Sequence, residues 1–403
     1  MKAFTAPLLE LAEFDTIQKT KYREPGMIQI AGSTGSQKGH LAYALAREDR
    51  RVLYVVQDEE KAKEILEEYQ FLDAGVFFYP AKDFLFYRAD IRGKYLTQKR
   101  MEVIRALQEE KVTVVTTIDA LMDGVRPPSG INGQIFTLRV GDMSDLEELK
   151  VRLSKMGYDR EIQIEGPGQF AVRGGILDVY PLTEEMPVRI EFWDDEIDSI
   201  RTFDVETQRS VENREEITFY PASDTVSGKQ GVSFLQYFQP EETLLFLDEP
   251  ARLYERGLTI EEEVKEAQER REEAERTSKT EEDEIRMFPV REIVGLLNSY
   301  HSIGFTALEG KLKEFHVRET YSILAKNVNP YNSSFEVLTR DLKRLKRNGY
   351  RVILLSGSRT RARRLAEDLR DYDLNSFYDE DPNRLVKPGE IFVSYGHVAV
   401  GYE

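Results

Sequence analysis

The sequence predicts a layered α/β protein carrying an inserted antiparallel α+β module, and three observations predict it. Over roughly the first 125 residues, short β-branched or aromatic runs alternate with stretches of helical period, the pattern of a parallel sheet covered on both faces. The pattern breaks at Pro127-Pro128-Ser129-Gly130 and gives way to period-2 strands joined by Gly, Pro and Asp-Asp turns. From Leu244 the α/β character returns, so the middle segment reads as an insertion.

Taken in order, Met27–Ala31, Val52–Val56, Val76–Tyr79 and Val112–Thr117 are the buried strands, with helices over Glu59–Tyr69 and Leu96–Glu110. Within the insertion, Gln134–Val140 alternates and Asp145–Met156 is one helix. Gln169–Arg173, Ile176–Tyr180 and Val188–Trp193 are strands of a module ending near Pro221. The stretch from Glu261 to Arg286 holds 12 acids and 6 bases at i,i+4 spacing and reads as a long solvated helix, broken near Thr277-Ser278. From about residue 320, Phe335, Leu338, Leu342 and Leu345 share a helix face. Val352–Leu355 reads as a buried strand, Thr360–Leu369 as a second helix and Ile391–Ser394 as a later strand. The expected domains are 1–127, the first part of an α/β domain; 128–222, the inserted module; 223–318, the second part of the α/β domain; and 319–403, a small α/β domain. The sequence stops at Tyr402-Glu403 straight after a strand-like run, which reads as the boundary of a fragment.

Composition narrows the function. The 403 residues hold 56 Lys and Arg against 73 Asp and Glu, a net charge of −17, which argues against wrapping nucleic acid with the whole surface but not against one local basic patch. Absence of cysteine excludes disulfide scaffolds, cysteine nucleophiles and thiolate metal sites. The four histidines, His40, His301, His316 and His397, have no metal-ligand spacing. No apolar run approaches the ~18 residues of a membrane span, and the N-terminus lacks the apolar region of a signal peptide, so a cytoplasmic protein is expected.

Gly32-Ser33-Thr34-Gly35-Ser36-Gln37-Lys38-Gly39 follows the first strand and occupies the place of GxxxxGK[ST], the loop whose backbone N–H groups cradle phosphates. Two chemically necessary positions are wrong: the second glycine is Gln37, and the hydroxyl that should hold Mg²⁺ is Gly39. Leu244 to Glu249 has the form of a Walker B strand, with Asp248 and Glu249 where metal and water would be handled, or else is simply a strand end with a turn before Pro250. Together the motifs read as a P-loop NTPase fold that has lost its nucleotide site. Weak binding without hydrolysis and residual activity are the alternatives.

In Val188–Trp193, alternation puts Val188, Ile190 and Phe192 on one face and Arg189, Glu191 and Trp193, the chain's only tryptophan, on the other. Arg173 joins the second face if the strands pair in sequence order, giving an Arg–aromatic cluster of the composition that dominates interface hot spots. The plainer reading packs Trp193 under a loop and pairs both arginines with Asp194, Asp195 or Glu191. A second basic run comprises Arg340, Lys343, Arg344, Lys346, Arg347, Arg351, Arg359, Arg361, Arg363 and Arg364. It suits nucleic acid, an acidic neighbouring domain, or two solvated helix faces; the last is preferred because no aromatics interleave with the charges. The aromatic runs Phe77-Phe78-Tyr79 and Phe84–Tyr87 read as core and rim.

The runs Gly166–Leu182 (GPGQFAVRGGILDVYPL), Pro187–Arg201 (PVRIEFWDDEIDSIR) and Phe203–Ser210 (FDVETQRS) resemble the bacterial transcription-repair coupling factors, the Mfd family. The degenerate loop and the insertion also fit that family's N-terminal region, which is similar to the excinuclease protein UvrB. The resemblance implies a nonenzymatic N-terminal fragment that recruits the repair protein UvrA, with Arg173, Arg189 and Trp193 at the contacting positions; the aromatic there is more often phenylalanine. It further implies that RNA polymerase, DNA, ATP and Mg²⁺ are handled by regions outside this chain, where an ATP-driven translocase displaces stalled polymerase, and that the chain itself needs no cofactor. Tyr79–Leu96 is too short for the DNA-clamping hairpin of UvrB, which disfavours direct damage verification. Two other functions stay open: an active UvrB-like or helicase-like ATPase acting on damaged DNA, and a module that restrains the motor by intramolecular docking.

Overall fold

The structure is a computed structural model and describes residues 2–82, 91–226, 230–274, 287–329, 331, 334–381 and 383–403. The α/β architecture is present, with a seven-stranded parallel sheet, a six-stranded antiparallel-rich module and a small C-terminal parallel sheet. The chain divides into two compact units, Met1–Val76 with Pro240–Glu255 and Val294–Glu403, and Phe77–Gln239 with Arg256–Ile293.

In the first unit the strand Gly26–Ala31 is buried along its whole length because it is paired on both sides, with His301–Thr306 and with Val317–Ser322. Thr243–Asp248 follows on the far side of His301–Thr306 and pairs in turn with Arg51–Val56. Strands buried on both faces need continuous apolar runs, which is why Met27–Ala31, Val52–Val56 and the Leu244 run were legible, whereas His301–Thr306 and the half-exposed Val317–Ser322 were not. The charged helix begins earlier than expected: it spans Pro250–Ala274, starting eleven residues before the point the charge pattern suggests, because proline is well placed at a helix start. The expected break at Thr277-Ser278 and the run Phe84–Tyr87 lie outside the described residues.

The same unit contains the small sheet, ordered Val352–Ser356, Ile391–Tyr395, Ser376–Tyr378, all parallel. Helices Phe335–Arg347 and Arg359–Arg370, capped by Ser334 and Ser358, bury Leu342, Leu345, Ala362, Ala366 and Leu369 against Ile391 and Val393. The other face of the sheet packs Phe392, Ile353 and Leu355 on Ala3, Phe4 and Phe71. Val352–Ser356 is only half-buried, not buried as the sequence suggested, because it lies at the sheet edge and pairs on one side alone.

In the second unit, the six strands run in the order Ser210–Arg214, Glu196–Phe203, Val188–Trp193, Ile176–Tyr180, Gln169–Arg173, Asp159–Arg160. Helix Leu146–Lys155, capped by the Asp145 carboxylate accepting from the Glu147 and Glu148 N–H groups, lays Leu149 and Leu153 on one face of that sheet. Phe170, Leu177, Val179, Val188 and Ile190 meet it there. The unit also buries an ionic network: Arg100 donates to Asp224 at 2.8 Å and to Asp123 at 2.9 Å, and the Tyr79 hydroxyl donates to Asp224 at 2.8 Å. Phe77-Phe78-Tyr79 is thus part of a strand, with Tyr79 in the core. No helix among the described residues is long and apolar enough to cross a membrane.

Candidate functional site: a filled phosphate loop and an arginine–tryptophan sheet face

Every position of the phosphate-loop motif is accounted for within the first unit. Gly32 has φ +82°, and a side chain there would meet the Ile323 carbonyl oxygen at 2.0 Å, so only glycine fits. Lys38, the lysine of the motif, is buried, and its ammonium donates at 2.7 Å to both Asp248 and Glu249. The two half-motifs therefore meet and neutralise one another. Glu249 itself has φ +51°, and its carboxylate also accepts from the Ala307 N–H at 2.9 Å.

The space where a serine or threonine hydroxyl would hold a metal is occupied. A Cβ on Gly39 would lie 2.7 Å from Oε2 of Glu68, a buried carboxylate whose pKa is raised, chiefly by its burial. Oε1 of Glu68 accepts from the Ala399 N–H at 3.3 Å. The chain's own 396–402 segment closes over the loop: the Ser36 N–H donates to the Val400 carbonyl at 3.3 Å and the Val400 N–H to the Ser36 hydroxyl at 3.1 Å. The Thr34 hydroxyl donates to Asn327, which also crowds Gly35 together with Val400. His40, one turn into the helix, shares a 2.8 Å hydrogen bond with the Tyr402 hydroxyl and is held neutral by burial, its pKa lowered to about 4. Gln37 is buried, its Oε1 without a hydrogen-bond partner among the described residues, where the motif requires a glycine. These residues do not fit a nucleotide–metal pair: the lysine is spent, the hydroxyl is missing, and a peptide segment takes the backbone donor of Ser36 that a phosphate would use. Glu68, Asn327 and the 396–402 segment were not legible, because none carries a motif or periodicity.

In the inserted module, cross-strand register fixes which side chains share a face. Arg189 pairs with Asp178 across the 188–193 and 176–180 strands, and Arg173 is opposite Ile176, itself opposite Glu191. Arg173, Arg189 and Glu191 thus project from the face opposite the Phe170–Val179–Ile190 core, and the alternation carries Trp193 to the same side. Trp193 is 80% exposed, so it is not packed under a loop. Arg173 is exposed, and among the described residues its guanidinium donates only to the Ile162 carbonyl, at 3.0 Å and 3.3 Å.

Arg189 is held more firmly, and by partners other than those considered from sequence. Its fork donates to both oxygens of Asp178, at 2.7 Å and 2.9 Å, and to Gln208 at 3.0 Å, while its guanidinium lies 4.4 Å over the buried Phe203 ring. The hydrogen bond to Asp178 raises the Arg189 pKa further above its ordinary value. Glu191 pairs instead with Arg201. The face therefore carries one arginine fixed by its neighbours, one without a carboxylate partner among the described residues, and an exposed indole at its margin.

Residues 136–224 match the family described as the UvrB interaction domain. The module is therefore a UvrB interaction domain inside an α/β host. Over 93% of its length the chain is 24% identical to the transcription-repair-coupling factor of Bacillus subtilis (strain 168), covering 37% of that protein. The corresponding protein of Staphylococcus haemolyticus is 25% identical over 93% of this chain and 37% of its own length. That of Staphylococcus aureus (strain USA300) is 38% identical over 41% of this chain and 14% of its own. The chain is a homologue of the transcription-repair-coupling factors, and it spans a little over a third of the length of the relatives it matches most fully.

Proposed function

We propose that this chain acts as a recruiting module in DNA repair, binding UvrA through the outer face of its UvrB interaction domain, and that it performs no catalysis of its own. The observation that carries the first half is the common face of Arg173, Arg189 and Trp193 within that domain. A planar guanidinium fork matches a partner carboxylate, and an exposed indole supplies a large rigid contact; both are typical of binding hot spots. The second half rests on the Lys38–Asp248–Glu249 clamp and on the segment that fills the loop. Nucleotide-driven translocation and displacement of RNA polymerase, with ATP and Mg²⁺, belong in this reading to parts of the full-length protein beyond this chain. The four-part domain division, with 128–222 as the recruiting domain, and a cytoplasmic location belong to it as well.

Calorimetric titration of the 403-residue chain with purified UvrA tests it, alongside an Arg173→Ala/Arg189→Ala double variant. Binding that weakens at least about 30-fold in the double variant is expected for two hot-spot arginines. Wild-type affinity in that variant would move the contact elsewhere. A Lys38-dependent ATPase activity in the chain alone would favour the active-enzyme alternative and overturn the nonenzymatic reading.

A further inference from the structure

The basic run of the small C-terminal sheet looked, in sequence, free of aromatic neighbours. In space it is not. Arg359 lies 5.2 Å over the Tyr395 ring and Arg363 5.1 Å over the Tyr378 ring, each tyrosine arriving from a strand that follows in the chain. Lys343 approaches the Tyr372 ring at 6.0 Å. Tyr372 and Tyr395 are 45% and 44% exposed, so their rings remain available.

The placement is as informative as the composition. Ser356 is in register with Tyr395, and Tyr378 with Val393, so Tyr378 and Tyr395 sit at the carboxyl ends of parallel strands. Open parallel sheets bind ligands at that rim, where loops diverge and backbone donors are left over. From Phe335 to Arg370 the chain carries 11 basic side chains against four acidic ones, within a protein of net charge −17. Three carboxylates follow Tyr378 directly in the chain. Glu380 holds Arg359 and Arg363, at 3.7 Å and 3.2 Å, while Asp379 and Asp381 accept from the backbone N–H groups of Asp381 and Asn383. Arg361 and Arg364 are exposed and make no ion pair among the described residues.

We propose that this arginine–tyrosine rim, formed by the helix Arg359–Arg370 with Tyr378 and Tyr395, is a binding surface for single-stranded nucleic acid. Arg361 and Arg364 would meet phosphates, while the exposed Tyr395, flanked by the Arg359 guanidinium that Glu380 keeps in position, would stack on a base, with the half-buried Tyr378 beneath Arg363 shaping the rim. Stacking is tolerant of sequence, and phosphate contacts carry none, so binding is not base-specific. An acidic protein segment would satisfy the charges but leave the ring faces unused, and a duplex hides the base faces that stacking needs. The surface is separate from the UvrA reading and stands whether or not that reading holds.

Fluorescence anisotropy of a labelled oligothymidylate of about 20 nucleotides, titrated with the 403-residue chain at about 50 mM salt, tests the proposal. The expected result is saturable binding that weakens about tenfold or more by about 200 mM salt. Arg361→Gln/Arg364→Gln should weaken it about tenfold and flatten the salt slope, and Tyr395→Ala should weaken it about fivefold or more. All three side chains are exposed, so thermal melts matching wild type are expected and assign any loss to the surface. Absence of binding at low salt, wild-type affinity in both variants, equal affinity for the matching duplex, or displacement by polyglutamate at equal charge would each overturn it.

Discussion

Lys38→Ala separates a nucleotide loop from a structural clamp. In a working phosphate loop this substitution removes nucleotide binding and leaves the fold nearly as stable. Here it would strand two carboxylates: Lys38 and Asp248 have side chains 8% and 6% exposed, and Glu249 is 21% exposed. Removing one partner of a buried pair typically costs about 3–5 kcal/mol. Glu249 keeps its hydrogen bond from the Ala307 N–H and some solvent, so the lower end, about 3 kcal/mol, is expected. For a unit of this size that corresponds to a melting temperature lower by about 6–12 °C. The assay is circular dichroism melting of wild type and variant, each with and without ATP and Mg²⁺. Neither protein should shift with nucleotide, and Lys38→Met/Asp248→Asn/Glu249→Gln should recover most of the loss, because it removes every charge of the clamp at once. A wild type that melts higher with nucleotide, beside a Lys38→Ala protein that melts like the nucleotide-free wild type, would refute the reasoning.

Three further outcomes follow from the same geometry. His40 charges near its ordinary value of 6.5 in the unfolded chain but only at about 4 in the fold, so up to about 3 kcal/mol of stability, complete above pH 6.5, is lost as pH falls toward 4. Urea titrations at neutral and acid pH should show that loss in wild type and a smaller one in His40→Asn. Gly32→Ala, with its Cβ 2.0 Å from the Ile323 carbonyl oxygen, should cost more than about 3 kcal/mol and reduce soluble yield; a wild-type melt would contradict the loop geometry. Arg189→Ala, which leaves Asp178 without its counter-ion and uncovers Phe203, should lower module stability by about 1–2 kcal/mol, whereas Arg173→Ala should stay within about 0.5 kcal/mol in the same chemical denaturation.

Strands of strong alternation were readable almost to the residue. Gln169–Arg173, Ile176–Tyr180 and Val188–Trp193 have the same bounds in sequence and structure because a two-residue period has one solution when one face is apolar. Glu196–Phe203 was missed for a definite reason. Its register shifts where Glu191 faces Ser199 but Phe192 faces Ile197, so the bulge leaves its buried isoleucines, Ile197 and Ile200, three apart instead of two or four. The site was legible as parts rather than as an assembly. Lys38 and Asp248-Glu249 could each be singled out, but not their mutual neutralisation across 210 residues of chain. Asp178, Gln208 and Phe203, which fix Arg189, became recognisable only once strand pairing and the 204–209 turn brought them beside it. Tyr378 and Tyr395 escaped for the same reason, because aromatic interleaving in sequence is not the same as adjacency in a parallel sheet.

The position of Gly26–Ala31 between His301–Thr306 and Val317–Ser322 has a consequence for synthesis. A strand made among the earliest residues must wait for both of its neighbours until residue 322 has been translated. The inserted module closes its sheet almost wholly through neighbouring hairpins, between 159 and 214, and so can be complete on the ribosome while the host strand is still unpaired. The nascent chain therefore carries a finished module attached to an open apolar edge. Slow translation before the His301–Thr306 strand should expose that edge to chaperones, or to aggregation, rather than harm the module itself.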